Sequence, residues 1–215
     1  MIKSAKRIFD ICSSAIVLIL LLPVLFALAA WIKLDSPGRI FFLQRRVGRD
    51  RRPFRIIKFR TMVERDPDSI DQNAERVVNQ GHDPRITRAG RFLRKTSLDE
   101  LPQLWNILVG DMSVVGPRPL IPEQLEVVPP ECLVRFDVRP GLTGFAQVRG
   151  RRSLGWLQQM EADALYARSH GFWTDLWLIL RTVHVVVTSK GIYGDESQNW
   201  RAYRDQLRAR ASEQL

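Results

Sequence analysis

Residues 11–32 read ICSSAIVLILLLPVLFALAAWI, an uncharged apolar run with Pro23 near its middle. About 20 helical residues cross a bilayer's hydrocarbon core, so the run is long enough to do so. Its flanks argue against a simple crossing. Lys3, Lys6 and Arg7 precede it; Lys33 and Arg39 follow, and then Arg45, Arg46, Arg49, Arg51, Arg52, Arg55, Lys58 and Arg60. Positive charge beside a membrane segment prefers the cytoplasmic side, and here both ends do. Pro23 removes a helical hydrogen bond and bends the chain, and each limb of roughly 10 residues reaches only about half the bilayer. The expectation is therefore a re-entrant helix hairpin broken at Pro23, entering and leaving one leaflet. A straight crossing is the competing reading. Non-helical backbone is costly in lipid, and Ser13 and Ser14 lie too far from Pro23 to relieve it. Ala27-Leu-Ala-Ala30 has the look of a signal cleavage site, but the run is longer than a signal core and carries both a proline and Trp31. A retained segment is expected.

Beyond residue 35, about 180 residues remain, enough for one domain with its own core. With 33 Lys and Arg against 23 Asp and Glu, the net charge is +10. Such a balance suits nucleic acid, anionic lipid or phosphorylated substrates, and the membrane segment favours the last two. The two cysteines, Cys12 and Cys132, suggest no disulfide framework and fit a reducing compartment. Residues 39–62 alternate as a β-hairpin, with Ile40-Phe41-Phe42 and Phe54 to Ile57 as arms and Gly48-Arg-Asp50 as the turn. Residues 64–82 read as a polar loop with a short helix. Helices are expected from Thr87 to Leu93, from Leu98 to Leu108 with Gly110 as its stop, and from Leu154 to Ser169. Trp173 to Thr188 is apolar but interrupted by Asp175, Arg181 and His184, which fits a core or membrane-interface helix. Residues 200–210 form a basic helix. His184 is expected in the core.

Walker, dinucleotide, zinc and serine-triad signatures are absent, and His82, His170 and His184 lack metal-ligand spacing. Three stretches carry chemistry. In Ser97-Leu-Asp-Glu-Leu-Pro-Gln103, adjacent carboxylates open a helix, with Asp99 expected as its N-cap. A helix N-terminus keeps a carboxylate ionised and attracts phosphate. An ionised Asp99 has the chemistry to attack phosphorus, and Glu100 beside it to hold Mg²⁺; a plain structural cap is the alternative. In Gly116-Pro-Arg-Pro119, two prolines stiffen the backbone around Arg118, a bidentate phosphate clamp. In residues 139–151, RPGLTGFAQVRGR, glycines permit close backbone approach and Arg139, Arg149 and Arg151 add charge.

Taken together, Lys6-Arg-Ile-Phe-Asp10, Phe42 to Gly48, Lys58-Phe-Arg-Thr-Met62, Asp83 to Arg88, Leu93 to Gln103, Asn106 to Pro119 and Arg139 to Arg151 resemble the bacterial sugar transferases, small monotopic phosphoglycosyl transferases. The resemblance runs from Lys6 to about Thr188. It implies transfer of a sugar-1-phosphate from a UDP-sugar to undecaprenyl phosphate, with release of UMP. It implies Asp99 as the nucleophile of a covalent phosphosugar intermediate, Glu100 beside it with Mg²⁺, and Asp99 and Glu100 as the carboxylates near the metal. Arg118 would lie near the phosphates, with Lys58 and Arg60 in the basic stretch beside the site; Arg139 and Arg151 are further candidates for phosphate. The implied location is the cytoplasmic face of the bacterial inner membrane, in contact with its lipid. The expected fold is helix-rich α+β: residues 1–35 form the re-entrant membrane helix, and 36–215 a cytoplasmic domain at the membrane surface, with a short β-hairpin, interfacial amphipathic helices and a basic C-terminal helix. Phe145 and Arg149 stand where many such proteins have Trp and Asn. The competing function is a membrane-anchored basic protein that binds nucleic acid or anionic lipid, stacking bases on Phe41, Phe42, Phe54 and Phe59. No nucleic-acid partner is expected. The transferred sugar, the pathway and pairing with a second copy stay open.

Overall fold

The computed structural model describes residues 2–66, 69–75, 83–150, 153–188 and 196–213. His82, Arg151 and Arg152 therefore lie outside the described residues, as does part of the polar loop expected over 64–82. The architecture is helix-rich α+β. Helix α1 (Ile2–Asp35) is followed by strands β1 (Phe41–Val47) and β2 (Pro53–Phe59), then by α2 (Arg88–Thr96), α3 (Gln103–Val109) and β3 (Ser113–Val115). Strand β4 (Gly141–Thr143), α4 (Phe145–Arg149), α5 (Trp156–Ser169), α6 (Phe172–Thr188) and α7 (Trp200–Ser212) complete the chain. β1 and β2 form the expected antiparallel hairpin, with Phe42 opposite Lys58, and its turn places Asp50 and Arg51 at positive φ. β3 and β4 pair in parallel.

α1 contains Pro23 but is one continuous helix of 34 residues, rather than two separate limbs. Among the described residues it is the one helix long and apolar enough to cross a membrane. Its two ends are both fastened to the domain. At the N-terminal end, Lys6 pairs with Asp175 of α6. Arg7 donates to the carbonyls of Ile107 and Leu108 at 2.6 and 2.8 Å, satisfying orphan acceptors at the end of α3. Buried Asp10 accepts from the Ser113 hydroxyl and the Val114 N–H, both at 3.0 Å. At the C-terminal end, Leu28 and Ile32 pack with Phe59, Ala89 and Leu93, and the Asp35 carboxylate accepts from Ala89 N–H at 2.9 Å. Between the ends, Ile19, Leu20 and Phe26 are exposed. Ser13 and Ser14 hydroxyls turn back to the carbonyls of Phe9 and Asp10, one turn up the helix.

The hairpin is held on its free edges by the rest of the domain. Asn106 of α3 imitates a neighbouring strand: its Oδ1 accepts from Ile57 N–H at 3.0 Å and its Nδ2 donates to the Arg55 carbonyl at 2.8 Å. On the other edge, Val47 N–H reaches the Leu120 carbonyl at 2.8 Å. Such side pairing removes an exposed strand edge. Gly90 lets α2 lie against the segment after β2, since a methyl carbon there would come within 2.0 Å of the Thr61 carbonyl oxygen.

Some expectations hold and others are corrected. α5 is the helix expected from Leu154 to Ser169, and it buries Trp156, Met160, Asp163 and Tyr166 in the core. α6 buries only Leu178 and exposes Phe172, Trp173, Trp177, Leu180, Val183 and Val187, so it is not a core helix. His184 is exposed and not a core histidine; the apolar stretch around it faces outward instead of into the protein. Within residues 139–151, the short strand β4 is followed by a short helix, α4. Of the four hairpin phenylalanines, Phe59 is buried, Phe42 and Phe54 are half-buried and only Phe41 is exposed, stacked on Phe59. They do not offer the row of open rings that base stacking requires.

Candidate active site

Asp99 and Glu100 sit on a single 3-10 turn, Leu98–Glu100. α2 ends at Ser97, whose backbone is left-handed (φ 60°). For a non-glycine residue that conformation costs about 1–2 kcal/mol, and it folds the chain back so that the two carboxylates follow at once. The expected N-cap is therefore corrected. α3 begins only at Gln103, with Pro102 immediately before it, so Asp99 lies in the preceding turn. Side-chain cations approach that turn.

Lys58 is the nearest of these. In β2 its side chain shares a face with Ile56, which is buried against Leu104 and Ile107 of α3. That places its ammonium against the turn: Nζ lies 2.6 Å from Glu100 Oε1. Burial lowers the pKa of Lys58, Glu100 opposes that effect, Arg118 adds to it and Asp99 opposes it. Lys58 thus feels all three of the others. The Arg118 guanidinium is 3.7 Å from the same Glu100 oxygen.

The backbone around Arg118 is clamped from every side. Gly116 N–H donates to the Thr143 carbonyl and Gly141 N–H to the Pro117 carbonyl, each at 2.8 Å. Arg135 donates to the Arg118 carbonyl at 2.6 Å, and Arg46 to that of Pro119 at 3.2 Å. Gly116 is required here, because a methyl carbon on it would fall 2.3 Å from the Arg139 carbonyl oxygen. Arg135 is itself held by Asp163 of α5 at 2.7 Å, and both side chains are almost wholly buried.

Lys58, Asp99, Glu100 and Arg118 line one open cavity of about 1050 Å³. Its further walls come from Gln147 of α4, Gln159 and Asp163 of α5, Thr182 of α6, and Asn199 and Arg201 beside α7. Basic side chains and amides both line it.

A family model described as "Bacterial sugar transferase" matches residues 1–189. The chain belongs to the bacterial sugar transferase family. It is a phosphoglycosyl transferase by class. It is 36% identical over 201 residues to the exopolysaccharide production protein ExoY of Rhizobium meliloti, covering 88% of each chain. It is 42% identical over 196 residues to the UDP-glucose:undecaprenyl-phosphate glucose-1-phosphate transferase of Caulobacter vibrioides, covering 87% of this chain and 72% of that one. The Escherichia coli protein of the same description is 39% identical, but this chain covers only 41% of it.

The sugar transferase fold thus brings together four of the residues singled out in the sequence. It places two others differently. Arg60 lines the cavity, but its guanidinium donates to the carbonyls of Ile32, Ser36 and Pro37 at the end of α1. Its hydrogen-bonding capacity is spent largely on fastening the end of α1. Arg139 does not line the cavity; its Nε donates to the Gly110 carbonyl at 2.9 Å, near Arg7. Arg151 lies outside the described residues. Arg135, Asp163 and Gln147 were not singled out. The first two carry no local pattern. Gln147 lay inside the RPGLTGFAQVRGR stretch, where attention fell on glycines and arginines.

Proposed function

We propose that this chain transfers a sugar-1-phosphate from a UDP-sugar to undecaprenyl phosphate, giving undecaprenyl-diphosphate-sugar and UMP. One observation carries the reading: Asp99 and Glu100 stand on one turn of a cavity wall, with Glu100 already occupied by Lys58 and flanked by Arg118. Asp99 takes the nucleophile's task and Glu100 the supporting one. An Asp99 oxygen attacks the sugar-bearing phosphorus of the donor. The bond from that phosphorus to the bridging oxygen breaks, and UMP leaves with the electron pair. The aspartyl phosphosugar is then attacked by a phosphate oxygen of the polyprenol, and Asp99 is released as carboxylate. Lys58 and Arg118 offset the charge that two phosphates bring to a site with two carboxylates.

The residues present suit Mg²⁺. This ion takes one or two carboxylates and completes its shell with phosphate oxygens and water. Asp99 and Glu100 supply such a pair, and no cluster of three or more metal-ligating side chains occurs among the described residues. Mg²⁺ held by these two would neutralise diphosphate charge.

The membrane arrangement follows from α1. Lys6, Arg7 and Asp10 at one end, and Leu28, Ile32 and Asp35 at the other, touch the same domain. A straight crossing would separate these ends by a hydrocarbon core of about 30 Å. The proposed re-entrant helix bends at Pro23, with Ile19, Leu20 and Phe26 deepest in one leaflet and α6 lying against the same surface. The lipid substrate's phosphate then meets the cavity at headgroup level, on the cytoplasmic face of the inner membrane.

Two measurements test this. With undecaprenyl phosphate and Mg²⁺, one or more of a panel of UDP-sugars should release UMP; no release from any of them would overturn the donor assignment. For topology, Ala5→Cys and Lys33→Cys are each placed in a chain lacking Cys12 and Cys132. Both should react with an impermeant thiol reagent in inverted vesicles and neither in intact spheroplasts. Reaction of the residue-5 thiol from outside would establish a straight crossing.

A further inference from the structure

We propose that Gln147 reads a hydroxyl of the sugar that is being transferred. The inference rests on the donor assignment above and assigns that donor's sugar subsite. Gln147 is 93% buried, yet neither its Nε2 nor its Oε1 has a hydrogen-bond partner. A buried amide left in this state costs stability, and native proteins rarely retain one without a reason. Both atoms belong to a side chain that lines the cavity shared with Lys58, Asp99, Glu100 and Arg118.

Its position is fixed by the segment that carries Arg118. A methyl carbon on Gly144 would lie 3.0 Å from Gln147 Oε1 and 2.2 Å from the Gly116 carbonyl oxygen. The amide therefore stands beside Gly116-Pro-Arg-Pro119. The nearby Thr143 and Thr182 hydroxyls are bonded to each other at 2.5 Å, so they do not satisfy it. Val148, Val185 and Val186 add apolar wall to the cavity.

The chemistry of the missing partner is constrained. An amide presents donors and an acceptor together. Ionised phosphate oxygens only accept, so phosphate satisfies half of it. A sugar hydroxyl donates and accepts, and two neighbouring hydroxyls satisfy both amide atoms. The uracil imide also has both functions, but in a UDP-sugar it is separated from the transferred phosphorus by a second phosphate and a ribose. The sugar is joined to that phosphorus through one oxygen. An amide beside the Arg118 segment is therefore matched to the sugar.

The test is Gln147→Met, which keeps length and volume and removes both polar functions. With the UDP-sugar turned over by wild type, the KM for donor should rise about tenfold or more, the equivalent of one lost hydrogen bond of about 1.4 kcal/mol. Inhibition by UMP, which has the uracil and ribose but lacks the transferred sugar, should stay within about twofold. The unfolding temperature of the unliganded protein should be unchanged or higher, because an unsatisfied buried amide has gone. An unchanged donor KM overturns the subsite. So does UMP inhibition weakened in step with donor KM, which assigns the amide to the nucleotide, and so does a lowered unfolding temperature, which assigns it a structural role. A wild-type protein inactive with every UDP-sugar overturns the donor assignment and the subsite together.

Discussion

Asp99→Asn is expected to lower UMP release by on the order of 10³-fold or more, the scale seen when a nucleophile is removed from a covalent mechanism. The substitution keeps the shape of the 3-10 turn and removes only the nucleophilic oxygen and its charge. Glu100 is poorly placed to take over, because Lys58 holds it at 2.6 Å and Arg118 flanks it. The half-reaction makes the expectation sharper. Without undecaprenyl phosphate, wild type should release one UMP per protein and retain one phosphosugar; Asp99→Asn should do neither. Glu100→Gln should still retain label, but slowly, since it keeps the nucleophile and disturbs the cation pairing around it. Thermal unfolding of Asp99→Asn should match wild type, because the residue is half-exposed and outside the core. A variant that keeps a tenth of the activity, or that still becomes labelled, would rule out a covalent Asp99 intermediate.

The contrast between Asp99 and Arg135 shows what a sequence reveals and what it withholds. Asp99, Glu100, Lys58 and Arg118 were legible because each sits in a short stretch whose local chemistry is distinctive: adjacent carboxylates, a basic strand, an arginine between prolines. The β-hairpin, the start of α2 and the C-terminal end of α3 were legible for a similar reason. Alternation, the helical pattern from Thr87 and the Gly110 stop (φ 101°) are local signals. The continuity of α1 was not, because proline's cost in a helix is set by what surrounds it. Nor was the N-terminus of α3. A left-handed Ser97 diverts the chain, and nothing in serine's identity announces that. Arg60 and Arg139 look like phosphate ligands when counted as charges. Tertiary packing brings them to orphan carbonyls at the ends of α1 and α3, and such partners are invisible to spacing. Arg135 and Asp163 lie 28 residues apart and meet only in the folded core.

That pair carries the second large expectation. Breaking it from either side should cost roughly 3–5 kcal/mol, because an uncompensated charge is left in the core. The two halves should differ in their dependence on pH. Burial holds the Asp163 carboxyl above its ordinary value, and Arg135 pulls it the other way. In Arg135→Met that pull is gone, so the folded-state pKa of Asp163 moves further up. A carboxyl with a raised folded pKa contributes its full stability below its unfolded value of about 3.9 and loses it as pH rises through the folded pKa. The defect of Arg135→Met should therefore shrink on acidification toward pH 4. Asp163→Asn leaves an arginine that cannot discard its proton and removes the carboxyl whose raised pKa stabilises wild type on acidification, so its defect should not shrink over the same range. Equal pH dependence of the two variants, measured by chemical unfolding, would contradict a buried charged pair. Arg135→Met with Asp163→Leu should recover much of the loss, since apolar replacement of a buried pair is often neutral. Yet the recovered protein still lacks the donor that holds the Arg118 carbonyl at 2.6 Å. It should fold like wild type and turn over donor poorly, with the defect in kcat as Arg118 loses its fixed position opposite Glu100. Stability and catalysis then separate in one variant, and that separation distinguishes a residue that positions the phosphate clamp from one that only fills the core.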